Sequence, residues 1–416
     1  TLKNGLRILT VPMSGTQTVT VLLMVGVGSR YETEKQAGLS HFIEHMLFKG
    51  TKRRPTSQAI SEELDSIGGE FNAFTAADKT AYYAKVDAKH AETALDVISD
   101  IFLNSKLEKE EIEHEKGPIL QELSMYEDDP RRSVGNEFEK LLYPNQPLGR
   151  DIVGYKHTIK NFTRKDFISY MKRNYNASET VLCVAGNFNE KKILLLAEKQ
   201  LGKLARGKKA QCKGVIEKQS KSGVHIKLKK TDQTHFILGC RAYHQNHPDR
   251  YALALLAIIL GGNMSSRIFL EVRERRGLAY FVHTSVDTYQ DCGYIGTQAG
   301  VEHGKLDKAV STILNEYVKV AKEKISDKEL TKAKEYVKGK AVMGFEASDD
   351  VAMFFIDQEV HKEKILTPEE VFAKIDAVTP EDIQRVAKDV FKNEKLNLAV
   401  VGPHKNKKQL EKMLKI

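Results

Sequence analysis

The chain has 416 residues, 41% of them hydrophobic and 29% charged, with a formal net charge of +9 and four cysteines. That length is too great for one ordinary core and implies two or three domains, while the composition excludes a disordered or low-complexity chain. The basic surplus alone would suit an anionic partner, but no basic run is interleaved with aromatics, so neither nucleic acid nor a membrane is expected to bind.

The chain opens with two apolar strands, 6–11 and 19–26, which read as a hairpin around Ser14-Gly15. A helix over 41–48 follows, then a second over 57–67, started by Thr56-Ser57 and closed by Gly68-Gly69. Strands are expected at 70–74 and 80–86, a long helix at 91–103, and an acidic helix at 109–125 with a stop at Asp129-Pro130. Gly117-Pro118 is awkward inside that acidic helix and predicts a kink or a restart there.

The chain also repeats itself. Thr163 opens a helical pattern and, 23 positions on, Gly186 closes an apolar strand; Thr379 and Gly402 do the same, 216 residues later. The same offset relates Gln17-Thr18 to Gln233-Thr234. The expected fold class is therefore α+β. Two tandem homologous domains, 1–203 and 223–416, would each be a mostly antiparallel sheet covered by helices. The stretch between them, 204–222, is rich in Lys and Gly and reads as a solvated linker.

None of Cys183, Cys212, Cys240 and Cys292 forms a CxxC pair, which favours reduced thiols and a reducing compartment. The longest apolar run is 251–260, too short to span a membrane. A cytoplasmic location is expected, or the mitochondrial matrix if a transit peptide has been removed ahead of Thr1.

Chemistry concentrates in His41-Phe42-Ile43-Glu44-His45. Residues four apart share a helix face, so both imidazoles can reach one ion, with Glu44 beside that face. This is the inverse of the HExxH order. Zinc takes neutral imidazole nitrogens, three protein ligands and an open water position, and a neighbouring carboxylate can accept the water's proton. The third ligand should come from the acidic helix. Glu115 and Glu122 lie seven apart, two turns, on one face; either could ligate, with the other orienting an imidazole. The second half has no such motif, so one metal per chain is expected.

The stretch from Gly38-Leu39-Ser40-His41 through Met46-Leu47-Phe48-Lys49-Gly50-Thr51 resembles the metal helix of the pitrilysin and insulinase family of zinc peptidases, in particular its half-size processing proteases. The resemblance covers nearly the whole chain. It implies Glu122, 77 residues after His45, as third ligand, and Glu115 as the carboxylate behind an imidazole. It implies Phe71-Asn72-Ala73-Phe74-Thr75 as an edge strand to which substrate adds, with Asn72, Ala73 and Phe74 as binding residues. It further implies Arg273 and Tyr280 as donors to the substrate carbonyl and its oxyanion. Pro118 departs from the family pattern. The implied activity is zinc-dependent hydrolysis of unfolded peptides or presequences in the chamber of a homodimer, with Glu44 as the base. The alternative is a catalytically inactive partner or scaffold subunit of the same fold, whose members lose the motif or the distal Glu.

Overall fold

The computed structural model describes residues 1–361 and 364–416. In the first half, strands β1 Arg7–Pro12 and β2 Thr18–Val25 precede helices α1 Leu39–Leu47 and α2 Ser57–Asp65. Then come β3 Glu70–Thr75, β4 Thr80–Asp87, α3 Ala91–Asn104, α4 Lys109–Asp128, α5 Pro130–Leu142, α6 Lys156–Asn161, α7 Arg164–Asn174, β5 Thr180–Gly186 and α8 Glu190–Leu201. The second half repeats the plan with β6 Gly223–Leu228, β7 Thr234–Ala242, α9 Arg250–Gly261, β8 Ala279–Thr288 and β9 Gly293–Val301. It continues with α10 Leu306–Lys322, α11 Asp327–Gly344, α12 Ser348–Val360, α13 Pro368–Asp376, α14 Pro380–Val390, β10 Leu396–Gly402 and α15 Lys407–Met413.

Each half builds one five-stranded sheet, ordered β1-β5-β2-β4-β3 and β6-β10-β7-β9-β8. The outer pairs β1–β5 and β6–β10 are parallel and all the others antiparallel. β1, β2, α7 and β5 recur as β6, β7, α14 and β10 at the offset of 216, so the two halves are structural repeats of one α+β plan. The expected hairpin is corrected. β1 and β2 are not neighbours, because β5 returns from 155 residues further along and inserts between Leu9 and Leu22 through Cys183. Two apolar strands joined by a short turn mimic a hairpin in sequence; only a long-range pairing separates them.

β5 and β10 are buried along their whole length, and β2 along all but its first residue, because helices cover both faces of the sheet. Leu22 and Met24 of β2 share a cluster with Val351, Ala352, Ile356 and Val360 of α12, while α3 packs on β2 and β4. In the second sheet α5 packs on β10 and β7, and α9 packs on β8. The compact units therefore exchange segments: one holds 1–123, 150–213 and 341–365, the other 124–149, 214–340 and 366–416. Among the described residues no helix is long and apolar enough to cross a membrane.

Candidate metal centre and active site

α1 is preceded by Gly38, whose φ of +95° is a left-handed conformation. A Cβ there would stand 2.4 Å from the Val153 carbonyl oxygen, so the close approach admits only glycine. The first helical N–H groups are taken by a remote carboxylate. Glu32 accepts from the Gly38 N–H at 2.8 Å and the Ser40 N–H at 2.6 Å. Burial pushes the Glu32 carboxyl up to about 8, against the opposing pull of those donors and Arg150. Leu39, Phe42, Ile43, Met46 and Leu47 are fully buried, with the Phe42 ring edge-on to Phe167 at 4.9 Å. That apolar stripe fixes the helix about its axis. His41 is then buried and Glu44 and His45 are half-buried.

α4 supplies the distal carboxylates. It runs from Lys109 to Asp128 with Pro118 inside it, so the helix does not restart at the proline. Gly117 precedes the proline, and the absence of its Cβ removes part of the clash that normally bars a helical residue there. Glu115 and Glu122 both turn toward α1. Glu122 Oε2 lies 3.6 Å from His41 Nε2 and 3.4 Å from His45 Nε2. These spacings are long for direct hydrogen bonds. They suit ligands about 2.0–2.1 Å from one tetrahedral ion, whose mutual separation is about 3.3 Å. Ligand atoms of the three residues all fall within 4.8 Å of one another, the one such group among the described residues. The donor set, two imidazoles and a carboxylate, is a zinc set with a position left for water.

Glu115 sits behind His45. Its Oε1 accepts from His45 Nδ1–H at 2.9 Å and its Oε2 pairs with Lys49 Nζ at 2.5 Å. That bond leaves His45 Nε2 unprotonated in the neutral ring and aimed at Glu122. Burial opposes a charge on His45, but the two glutamates outweigh it and push the imidazole up to about 9. A proton and a metal thus compete for the same nitrogen. Glu44 Oε2 accepts from Thr75 Oγ1 at 2.6 Å.

Thr75 ends β3, an edge strand that pairs with β4 alone. Phe71, Ala73 and Thr75 share one face of β3, and the Phe71 ring stacks near Phe48 at 6.2 Å. Asn72 is exposed, and its Oδ1 accepts from the Ala73 N–H at 2.8 Å. Phe74 points to the other face and packs against the α12 cluster.

Arg273 and Tyr280 lie in the other compact unit, separate from the unit that carries the metal cluster. Residues 269–274 form a π-helical turn leading to β8. Such wide turns recur at functional sites. The Arg273 guanidinium stands 4.7 Å from the Tyr280 ring centroid and 5.0 Å from that of Phe269, and Tyr280 is 80% exposed. The two residues form a stacked, solvent-facing pair. A phenol so open to solvent is not explained by core packing.

Sequence reasoning missed Glu32, Lys49 and the hydroxyl of Thr75 as parts of the site. A glycine at the start of the motif helix signalled a special entry, and Lys49 lies one turn past His45. Nothing local pointed to Glu32 or to the Thr75–Glu44 bond.

Two structurally repeated α+β halves with, among the described residues, a single His-His-Glu cluster, on the first of them, define a class with one metal centre per duplicated fold. The insulinase family model (peptidase family M16) matches residues 7–156, and the model of the peptidase M16 inactive domain matches residues 161–337. The chain belongs to the insulinase family of peptidases, M16. It is 37% identical over 409 residues to an uncharacterized zinc protease of Rickettsia felis, covering 97% of each chain. It is 34% identical over 407 residues to an uncharacterized zinc protease of Bacillus subtilis, covering 98% of each. The fold also matches the crystal structure of a protease from Helicobacter pylori, with a TM-score of 0.91 at 24% identity over 97% of this chain and 98% of that one.

Proposed function

We propose that this chain is a zinc metalloendopeptidase that hydrolyses unfolded peptides or presequences. The observation that carries the proposal is the convergence of His41 Nε2, His45 Nε2 and Glu122 Oε2 at the spacing of three ligands on one ion. The relatives named zinc proteases support the choice of metal. A zinc ion held by these three residues would polarise the scissile carbonyl and lower the pKa of its bound water.

The protein's own groups do the rest. Glu44, one residue from His45, takes the water's proton and returns it to the leaving amine. Glu115 holds His45 in the tautomer that can ligate. The outer edge of β3 at Asn72, Ala73 and Phe74 receives an extended peptide, which would take the Ala73 N–H over from Asn72 Oδ1. Arg273 and Tyr280 donate to the oxyanion. On this reading 1–203 is the metal-binding domain and 223–416 the metal-free partner that supplies the Arg/Tyr pair. Two chains closing as a homodimer would form the chamber. A cytoplasmic location fits the buried Cys183, Cys240 and Cys292 and the bacterial relatives.

The competing reading, an inactive partner or scaffold subunit, is disfavoured because all four of His41, Glu44, His45 and Glu122 are present and the three ligands converge. The test is Glu44→Gln. Metal content should stay at wild-type level while peptide hydrolysis falls by about 10²–10⁴-fold. A fully active Glu44→Gln protein would remove Glu44 as the base.

A further inference from the structure

We infer that Thr75 is the positioning residue of the base: its hydroxyl locks the Glu44 carboxylate to the edge strand that receives substrate, so base and substrate strand move as one body. This rests on the reading of Glu44 as general base and goes beyond it.

Among the described residues, Glu44 makes a single hydrogen bond, the one from Thr75 Oγ1 to Oε2 at 2.6 Å. That length is typical of a hydroxyl donating to a charged carboxylate. The bond occupies Oε2 and leaves Oε1 free to take a proton. It also fixes the carboxylate plane, which a half-buried Glu would otherwise not hold. Thr75 is the last residue of β3 and pairs with Thr80. Its side chain emerges on the face shared by Phe71 and Ala73, toward α1.

A second set of contacts fixes the distance between strand and helix. The β3–β4 turn is stitched to residues 28–30. The Ser29 N–H donates to the Ala76 carbonyl and the Arg30 N–H to the Ala77 carbonyl, both at 3.1 Å. The buried Arg30 guanidinium meets the buried Asp78 carboxylate at 3.2 Å. A Cβ on Gly28 would stand 2.1 Å from the Ala76 oxygen, so the segment lies directly against the turn. Two residues past Arg30, Glu32 holds the first N–H groups of α1. One short segment, 28–32, thus grips the strand that carries Thr75 at one end and the helix that carries Glu44 at the other. The hydroxyl–carboxylate bond closes this loop at the reacting end. Its job is preorganisation, which acts on the chemical step rather than on substrate affinity.

The experiment is steady-state kinetics on a fluorogenic peptide for wild type, Thr75→Val, Thr75→Ala, Thr75→Ser and Glu44→Gln, with metal content and Tm recorded for each. Val removes the hydroxyl at constant shape and suits a strand; Ala repeats the test should Val pack badly. Both should lower kcat by about 10- to 100-fold, a share of what a well-placed base supplies, with KM within about threefold and full metal content. Thr75→Ser should recover most of that loss. The inference is overturned if Val and Ala keep kcat within twofold while Glu44→Gln is inactive. It is also overturned if Ser is as impaired as Val, or if the loss falls on KM or on metal content. An active Glu44→Gln protein instead overturns the base assignment itself, and this inference with it.

Discussion

Replacing Glu115 by Gln should weaken metal binding without touching a ligand. Glu115 is 7% exposed, and its carboxylate serves two partners at once, His45 Nδ1–H at 2.9 Å and Lys49 Nζ at 2.5 Å. Burial pushes its carboxyl up, but His45 and Lys49 together hold it below the usual range. A glutamine keeps the shape and loses the charge. With its oxygen toward His45, its NH₂ group faces the Lys49 ammonium, donor against donor. Flipped, the NH₂ faces Nδ1 and drives the ring proton onto Nε2, the atom the metal requires. His41 offers no second anchor, since its Nδ1 is buried without a hydrogen-bond partner among the described residues. Losing the partner of a ligating imidazole typically costs 10–100-fold in metal affinity, about 1.4–2.8 kcal/mol. Competitive titration of zinc against a chelator of known affinity, at fixed pH, reads this without any activity assay. A Glu115→Gln protein within twofold of wild type would refute the account of His45 orientation.

Gly38→Ala should destabilise the fold by about 1–3 kcal/mol, from left-handed strain plus a displaced Val153 carbonyl, and should weaken metal binding as α1 shifts; a urea midpoint at wild-type value would contradict this. Glu137 is 6% exposed and bonded to His225 and Lys227, with Lys140 beside it. Burial would raise its carboxyl, but the hydrogen bond from His225 and the Lys140 and Lys227 ammonium groups outweigh it and hold it at about 2, from an ordinary 4.5. A depressed carboxyl stabilises the fold above about pH 4.5, and the contribution, about 3 kcal/mol at most, is lost as pH falls toward 2. Glu137→Gln should therefore lower the urea midpoint at pH 7 far more than at pH 3, and an equal loss at both would refute the linkage. Arg273→Ala should cut kcat by about 10²–10³-fold with the metal retained. Mixing it with Glu44→Gln chains should restore part of the activity if the pair acts across a dimer; no rescue between exchanging chains would place a complete site in each.

Much of the site was legible because its spacing is local. Two imidazoles four apart on one helix, and two carboxylates seven apart on another, fix shared faces without knowledge of the fold. The repeat was legible because the same offset of 216 recurs in both the sequence pattern and the sheet order. What escaped depends on distant partners. The insertion of β5 between β1 and β2, the packing of α5 on the second sheet and of α12 on the first, and the grip of Glu32 on α1 all join residues with no pattern in common. Of the two outcomes a local rule allowed at Pro118, a kink or a restart, the restart does not occur, since the helix continues through the proline after Gly117.

The central claim is that His41, His45 and Glu122 share one ion. Anomalous diffraction at the zinc edge from crystals of the purified protein tests it directly. The account predicts one peak per chain, about 2.0–2.2 Å from His41 Nε2, His45 Nε2 and a Glu122 carboxylate oxygen. Zinc-loaded crystals with no peak there, or with Glu122 turned away from both imidazoles, would contradict it.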